Sequence, residues 1–512
     1  MSASLSAHAD PLHCLHAVAR RDPARPFMEL DSGRRYSYGE FAELVSRLAS
    51  ILTSTGIRVG DRVAAQVDKS PEAVALYLAC LQAAAVFVPL NTAYTAAELT
   101  YFVNDADASF VVLRPQVART IGEFAGRRIE TLDDAGGGTL MSIDTSVEPP
   151  TDGPGSNGDA LAALLYTSGT TGRSKGAMLT RANLSSNAAV LAEAWRFTQS
   201  DVLLHALPIF HVHGLFVAIN TVLAAGASML FMNRFDAAQI VKALHRATVM
   251  MGVPTFYTRL LQQPELSRET TSNVRLFISG SAPLLADTHR EFFERTGHAI
   301  LERYGMSETL MNTSNPYDGA RIPGSVGPPL PGVEVRVTDP ETGVTQSRAN
   351  AVGMIEVRGP NVFKGYWRMP EKTAAEFRPD GFFITGDLGR IDERGYVHIV
   401  GRSKDLIITG GYNVYPIEIE AEIDALPGVV ESAVFGVPHA DFGEGVTAAV
   451  VPKTGVELVE DVMRKALEQR LAKFKIPKRI VFVGELPRNS MGKVQKNVLR
   501  ERFRDLYAPL SP

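Results

Sequence analysis

Tyr166-Thr167-Ser168-Gly169-Thr170-Thr171-Gly172-Arg173-Ser174-Lys175-Gly176 follows Ala160-Leu161-Ala162-Ala163-Leu164-Leu165, an apolar run of strand length. The eleven positions hold three Thr, two Ser, three Gly and one Lys. Glycines let backbone N–H groups converge on an anion, hydroxyls add short donors, and Lys175 supplies a cation that can follow moving charge. This is the chemistry of a phosphate-holding loop. A Walker loop needs Gly-Lys-Ser/Thr, whereas here Ser174 precedes Lys175 and Gly176 follows it, so that reading fails on spacing. The plain alternative is a Ser/Thr/Gly turn without a ligand.

The stretch resembles the phosphate loop of the acyl-activating, adenylate-forming superfamily, which contains acyl-CoA synthetases, peptide-synthetase adenylation domains and luciferases. The resemblance implies ATP contacts from Thr167, Ser168, Gly169, Thr170, Thr171, Gly172 and Lys175, with Lys175 also assisting catalysis. It extends over nearly the whole chain, because further signatures of the superfamily follow in order.

The 512 residues exceed one compact core. Hydrophobic residues at 45% and charged residues at 21% are ordinary for a globular protein. A net charge of −4 and a pI near 6.3 give no reason to expect nucleic acid or an anionic membrane as partner. Cys14 and Cys80 cannot form a disulfide scaffold and suit a reducing compartment, so a cytoplasmic protein is expected. Ala73 to Leu90 is almost continuously apolar, but Gln82 and Pro89 argue for a buried helix followed by a short strand rather than a membrane span.

Strands at Arg62 to Gln66, Val86 to Val88 and Phe110 to Leu113 alternate with helices at Pro71 to Ala84 and Ala96 to Asp105, which predicts a helix-covered parallel sheet. The rhythm resumes after the loop: a helix over Arg181 to Arg196, a strand over Asp201 to Leu207, a helix from Leu215 to Ala224, and a helix from Pro254 to Leu261. Gly324 to Val362 turns to short strands. Beyond Arg402 a separate strand–helix pattern begins. The fold expected is α/β: a large N-terminal domain, residues 1–401, of helix-covered sheets plus a β subdomain, and a small mobile α+β domain, residues 402–512.

Glu302-Arg303-Tyr304-Gly305-Met306-Ser307-Glu308 ends in a hydroxyl and a carboxylate. Mg²⁺ takes one or two carboxylates plus phosphate oxygens, which suits Glu308; the plain alternative is a helix cap made by Ser307 and Glu308. By resemblance, Glu302, Arg303, Gly305 and Ser307 join the ATP site, and Tyr304 faces Gly280, Ser281 and Ala282 across the adenine. Asp387 and Arg402 resemble the ribose contacts, and Lys404 stands at the hinge, where many relatives have Asp. Gly410 and Gly411 resemble the glycines lining the pantetheine tunnel of coenzyme A. Pro487 to Val494 resembles the catalytic lysine loop, and Lys493 can stabilise charge building between carboxylate and α-phosphate. The resemblance implies two half-reactions, adenylation by ATP and thioester formation with coenzyme A, with rotation of the C-terminal domain between them. Related synthetases also suggest a lysine acetyltransferase and deacetylase acting on Lys493.

His211-Val212-His213 lacks a third ligand at metal spacing. His211 resembles the residue that borders the acyl pocket; His213 reads as structural. Arg259, one turn into the helix at Pro254, would suit a second substrate carboxylate, with Ser281 and Met306 completing the pocket and Arg290 as a second candidate cation. The run from Glu308 to Tyr317 looks like that of malonyl-CoA synthetases. Malonate is therefore the expected acid and methylmalonate a further substrate. The alternative is another short or aryl acid; an ATP-binding scaffold and a luciferase-like oxygenase are weaker readings.

Overall fold

The computed structural model describes residues 10–122, 124, 126–150, 157–167, 174–410, 412–489 and 492–508. The chain forms two compact units, Met1–Val335 with Val357–Phe383, and Arg336–Glu356 with Ile384–Pro512. Arg402, where the sequence changes texture, lies within the second unit.

The first unit contains two sheets. In the six-stranded sheet, Arg128–Thr131, Ala108–Leu113, Arg62–Gln66, Val86–Pro89 and Leu161–Thr167 run parallel, and Lys175–Thr180 returns antiparallel at the edge. In the eight-stranded sheet, Leu301–Met306, Leu276–Ser279, Val249–Gly252, Val202–His205, Ser228–Phe231 and Pro26–Leu30 are parallel neighbours, with an antiparallel strand at each end. Helices from the 3.6-residue pattern cross between the parallel strands.

Pro71–Gln82 begins on the Ser70 cap, has proline in its first turn and is buried at every residue. A helix apolar all round needs protein on all sides, which explains the long apolar stretch. Among the described residues no helix is long and apolar enough to cross a membrane.

Three boundaries coincide with expectation at both ends: Arg62–Gln66, Ala96–Asp105 and Pro254–Leu261. Two local structures differ from it. The helix expected from Leu215 starts two residues earlier as a π-helix, His213–Ile219, and continues as an α-helix over Asn220–Ala225. The segment ending in Ser307 and Glu308 caps no helix. Leu301–Met306 turns back through Ser307–Thr309 into the antiparallel strand Leu310–Ser314. Gly305 is required there, since a Cβ would overlap the Leu310 carbonyl oxygen.

The second unit holds a sheet of Val429–His439, Gly443–Pro452, Ile407–Thr409 and Tyr412–Val414, joined by Arg479–Phe482. Both faces are covered. Val434, Val446, Ala448 and Val450 pack with Ile419, Ile423, Met463 and Leu467, while Phe435, Ala449 and Val451 pack with Val483 and Leu499. That double covering explains the unbroken apolar runs in these strands.

Candidate active site

In parallel α/β sheets the carboxyl ends of the strands open toward ligands, and the candidate residues of the first unit collect there. Strand Val202–His205 leads into the turn carrying His211 and His213; Leu276–Ser279 leads into Gly280, Ser281 and Ala282; the neighbouring Leu301–Met306 carries Glu302, Arg303, Tyr304, Gly305 and Met306.

Successive residues of a strand point to opposite faces, and the two charges beside Tyr304 separate accordingly. Glu302 is buried and accepts from the Gly324 N–H at 3.1 Å and from the Leu284 N–H. Burial pushes its carboxyl up to about 8 despite these two bonds. Arg303 is also buried, and its Nε and one terminal nitrogen find no hydrogen-bond partner among the described residues. Loss of solvent lowers this guanidinium to about 9. It packs under Gly280, where a Cβ would meet the guanidinium carbon at 2.5 Å.

His211 and His213 border the same cluster. The His213 N–H donates to His211 Nδ1 at 3.3 Å, and His213 Nδ1 lies 3.2 Å from the Ser281 hydroxyl. Burial, reinforced by Arg303, holds His211 down to about 4 and His213 well below the usual histidine range. Both rings are neutral at physiological pH. His213, read from the sequence as structural, is thus bonded to a candidate substrate contact, and its Nε2 has no partner among the described residues. Ser281 adopts φ +73°, a left-handed conformation unusual for serine and common where a site imposes local strain.

Arg259 is exposed in the last turn of Pro254–Leu261, whose buried face is Phe256, Tyr257 and Leu260. Arg290 is exposed as well and pairs with Asp287. Neither joins the buried cluster.

Residues 168–173 lie outside the described residues, and with them Ser168, Gly169, Thr170, Thr171 and Gly172. The two ends of the loop are antiparallel neighbours, Thr167 opposite Lys175. The Thr167 hydroxyl donates to Glu308 Oε1 at 3.2 Å, and the Tyr366 hydroxyl lies 3.3 Å from the same oxygen and 2.6 Å from Glu376 Oε2. Lys175 is buried, 3.1 Å from Glu376 Oε1 and 4.7 Å from the Tyr366 ring centre. Lys175 therefore has a carboxylate counter-ion, which no motif in the sequence pointed to. Glu308 and the Thr167 hydroxyl present hard oxygen donors side by side, a set that fits Mg²⁺. Ser307 is half-buried in the hairpin turn beside them.

In the second unit, Asp387 and Arg402 face each other across antiparallel strands, with Arg402 Nε 2.6 Å from Asp387 Oδ1. Asp387 is buried and Lys404 exposed. The Lys493 loop is closed by Asn489: the Lys493 N–H donates to Asn489 Oδ1 at 2.9 Å, and the Asn489 N–H to the Lys493 carbonyl at 2.9 Å. Lys493 is solvent-exposed as a residue; protein packed around its amine and the charges of Arg402 and Lys404 lower it to about 8, against the opposing pull of Asp387 and Asp405. Gly410 has φ +58° at the end of a short strand, and Gly411 lies outside the described residues.

Comparison with known proteins identifies the family. The pattern of the AMP-binding enzyme family matches residues 15–367, and that of the AMP-binding enzyme C-terminal domain matches residues 418–493. The malonate–CoA ligase of Arabidopsis thaliana is 34% identical, over 92% of this chain and 85% of its own length. An oxalate–CoA ligase from the same plant is 34% identical over 96% and 98%. The crystal structure of ATP-bound MatB from Rhodopseudomonas palustris is 59% identical, covers 98% of this chain and 99% of its own, and superposes with a TM-score of 0.94. The chain belongs to the AMP-binding enzyme family, among its acid–CoA ligases.

Proposed function

We propose that the enzyme activates malonate as its adenylate, releasing pyrophosphate, and transfers it to coenzyme A to give malonyl-CoA and AMP. One observation carries the choice of acid: Arg303 is a buried guanidinium with two nitrogens that have no hydrogen-bond partner among the described residues, beside two neutral histidines and Ser281. A buried unpaired cation is costly, and an acid with a second carboxylate would neutralise it while its first carboxylate reacts. Arg303 takes the part that the sequence suggested for Arg259. The two relatives reported above, named for malonate and oxalate, support a short dicarboxylate. One more methyl changes binding by about 1–3 kcal/mol, so methylmalonate is a further substrate.

The residues divide the work as follows. His211, His213 and Ser281 line the acid; both rings are neutral and cannot draw its carboxylate into an ion pair. Lys175 and the hydroxyls of the loop hold the phosphates, which compete with Glu376 for the Lys175 amine. Glu308, with Thr167, would hold Mg²⁺, which would neutralise polyphosphate charge. Asp387 and Arg402 take the ribose hydroxyls, and Lys493 meets the charge developing between carboxylate and α-phosphate. A turn about Lys404 would then bring Gly410 and Gly411 to the adenylate for the thiol. We place the domain boundary at residues 401 and 402 and the enzyme in the cytoplasm. Acetylation of Lys493 would remove its charge and block adenylation alone.

Pyrophosphate release across a panel of acids tests the assignment. Arg303→Met should lower kcat/KM for malonate by about 10²–10³-fold, as expected on losing one partner of a buried charge pair, and spare acetate. Equal loss for both acids would move Arg303 to the ATP phosphates and remove the ground for a dicarboxylate.

A further inference from the structure

A buried pair outside the residues named so far ties the acid cluster to the neighbouring sheet. Lys69 follows strand Arg62–Gln66 of the six-stranded sheet; His205 ends strand Val202–His205 of the eight-stranded one. Both are buried. Lys69 Nζ lies 2.8 Å from His205 Nδ1, 2.8 Å from the His205 carbonyl oxygen and 4.3 Å from the centre of the Phe231 ring. On the far side of the imidazole, His205 Nε2 is 2.8 Å from the Gly214 carbonyl oxygen.

These contacts decide the tautomer. A carbonyl oxygen only accepts, so Nε2 carries the hydrogen. Burial and the adjacent Lys69 keep His205 neutral, so Nδ1 is bare and must accept from Lys69. The conclusion is the same for an ammonium or an amine, because both have N–H groups to donate. Without Lys69, Nδ1 loses its donor. The imidazole is then held on one side only, and its aim at the Gly214 oxygen loosens.

Gly214 is the second residue of the π-helix His213–Ile219. It sits so close to the preceding turn that a Cβ would overlap the Pro208 carbonyl oxygen. The turn Pro208–Gly214 is thereby closed by backbone contact at one point and held at the Gly214 carbonyl by His205. That turn carries His211 and His213, and His213 reaches Ser281.

We propose that Lys69 and His205 are positioning residues for the acid: through the Gly214 carbonyl they hold the turn bearing His211 and His213, and so set the fit of the acid rather than that of ATP. The inference rests on the reading that the acid occupies the cluster around Arg303.

The test measures KM for acid and for ATP separately, with thermal midpoints, in Lys69→Met, His205→Phe, His205→Gln and the Lys69→Met/His205→Phe double variant. Lys69→Met and His205→Phe should each raise KM for malonate about tenfold or more and leave KM for ATP within about twofold, since small misplacements far from the chemistry have effects of this size. His205→Gln, whose amide N–H can still reach the Gly214 oxygen, should recover to within about threefold of wild type. The double variant should be no worse than the poorer single one, as for residues acting through one contact. Parallel changes in both KM values, additive losses, or glutamine no better than phenylalanine would overturn the proposal. Should His205→Phe not fold, Lys69→Met decides alone, because a methionine fills the lysine's volume without its charge. Failure of the wild-type enzyme to use malonate would instead defeat the reading of the acid, and the same variants would then be compared on the acid that it does use.

Discussion

Lys493 and Arg303 are both cations whose pKa is lowered chiefly by loss of solvent, and they differ in the charges around them. Arg303 is buried, and its Nε and one terminal nitrogen have no hydrogen-bond partner among the described residues, which suits a place for an anion. Lys493 is an exposed residue that stands near Arg402 and Lys404, with Asp387 and Asp405 partly offsetting them. With its amine near 8, Lys493 loses its charge at mildly alkaline pH. The adenylation kcat/KM for ATP, which reports the free enzyme, should fall as pH rises through about 8. Lys493→Arg, always charged, should lower the plateau and abolish that limb. A limb unchanged in Lys493→Arg would assign it to another group. The pairing of Lys175 with Glu376 is a residue-scale fact of the same kind: the loop showed a lysine, and only folding showed its counter-ion.

At the scale of elements, the hairpin Leu301–Met306 and Leu310–Ser314 places an acid and a base on opposite faces. Glu302 serves the structural side by accepting backbone N–H groups from the loops at Leu284 and Gly324. Its folded pKa is raised from 4.5 to about 8, so the native state keeps a proton that the unfolded chain releases in between. Its contribution to stability is therefore full below about 4.5 and is lost as pH rises through about 8. Glu302→Gln should flatten the decline of the thermal midpoint over this window relative to wild type; identical slopes would refute the burial argument. The helix Pro254–Leu261 shows what the sequence could have revealed. Phe256, Tyr257 and Leu260 at i, i+1 and i+4 mark its buried face, and that spacing already turns Arg259 outward with Thr258. Ser307-Glu308 resembled a helix start because a hydroxyl before an acid is the same signal in a cap and in a turn; the backbone pairing that decides between them is a contact with the next strand.

For the whole molecule, the proposed two-step reaction would need different neighbours for one reacting carbon. Lys493 shares its unit with Asp387 and Arg402, and a turn about Lys404 would exchange that neighbourhood for the one around Gly410. Lys404→Pro, which restricts its own φ and the residue before it, should slow thioester formation from preformed adenylate by more than tenfold while leaving pyrophosphate release nearly intact. Equal slowing of both steps would place the pivot elsewhere. The sequence by itself determined the alternation of strands and helices and the order of the family's motifs, because side-chain periodicity and motif chemistry are local properties written in consecutive residues. Only the tertiary structure decided that Arg303 is buried, that Lys175 meets Glu376, and that Lys69 reaches His205. Burial and pairing depend on which distant segments fold together, and no spacing along the chain encodes a contact across 136 or 201 positions.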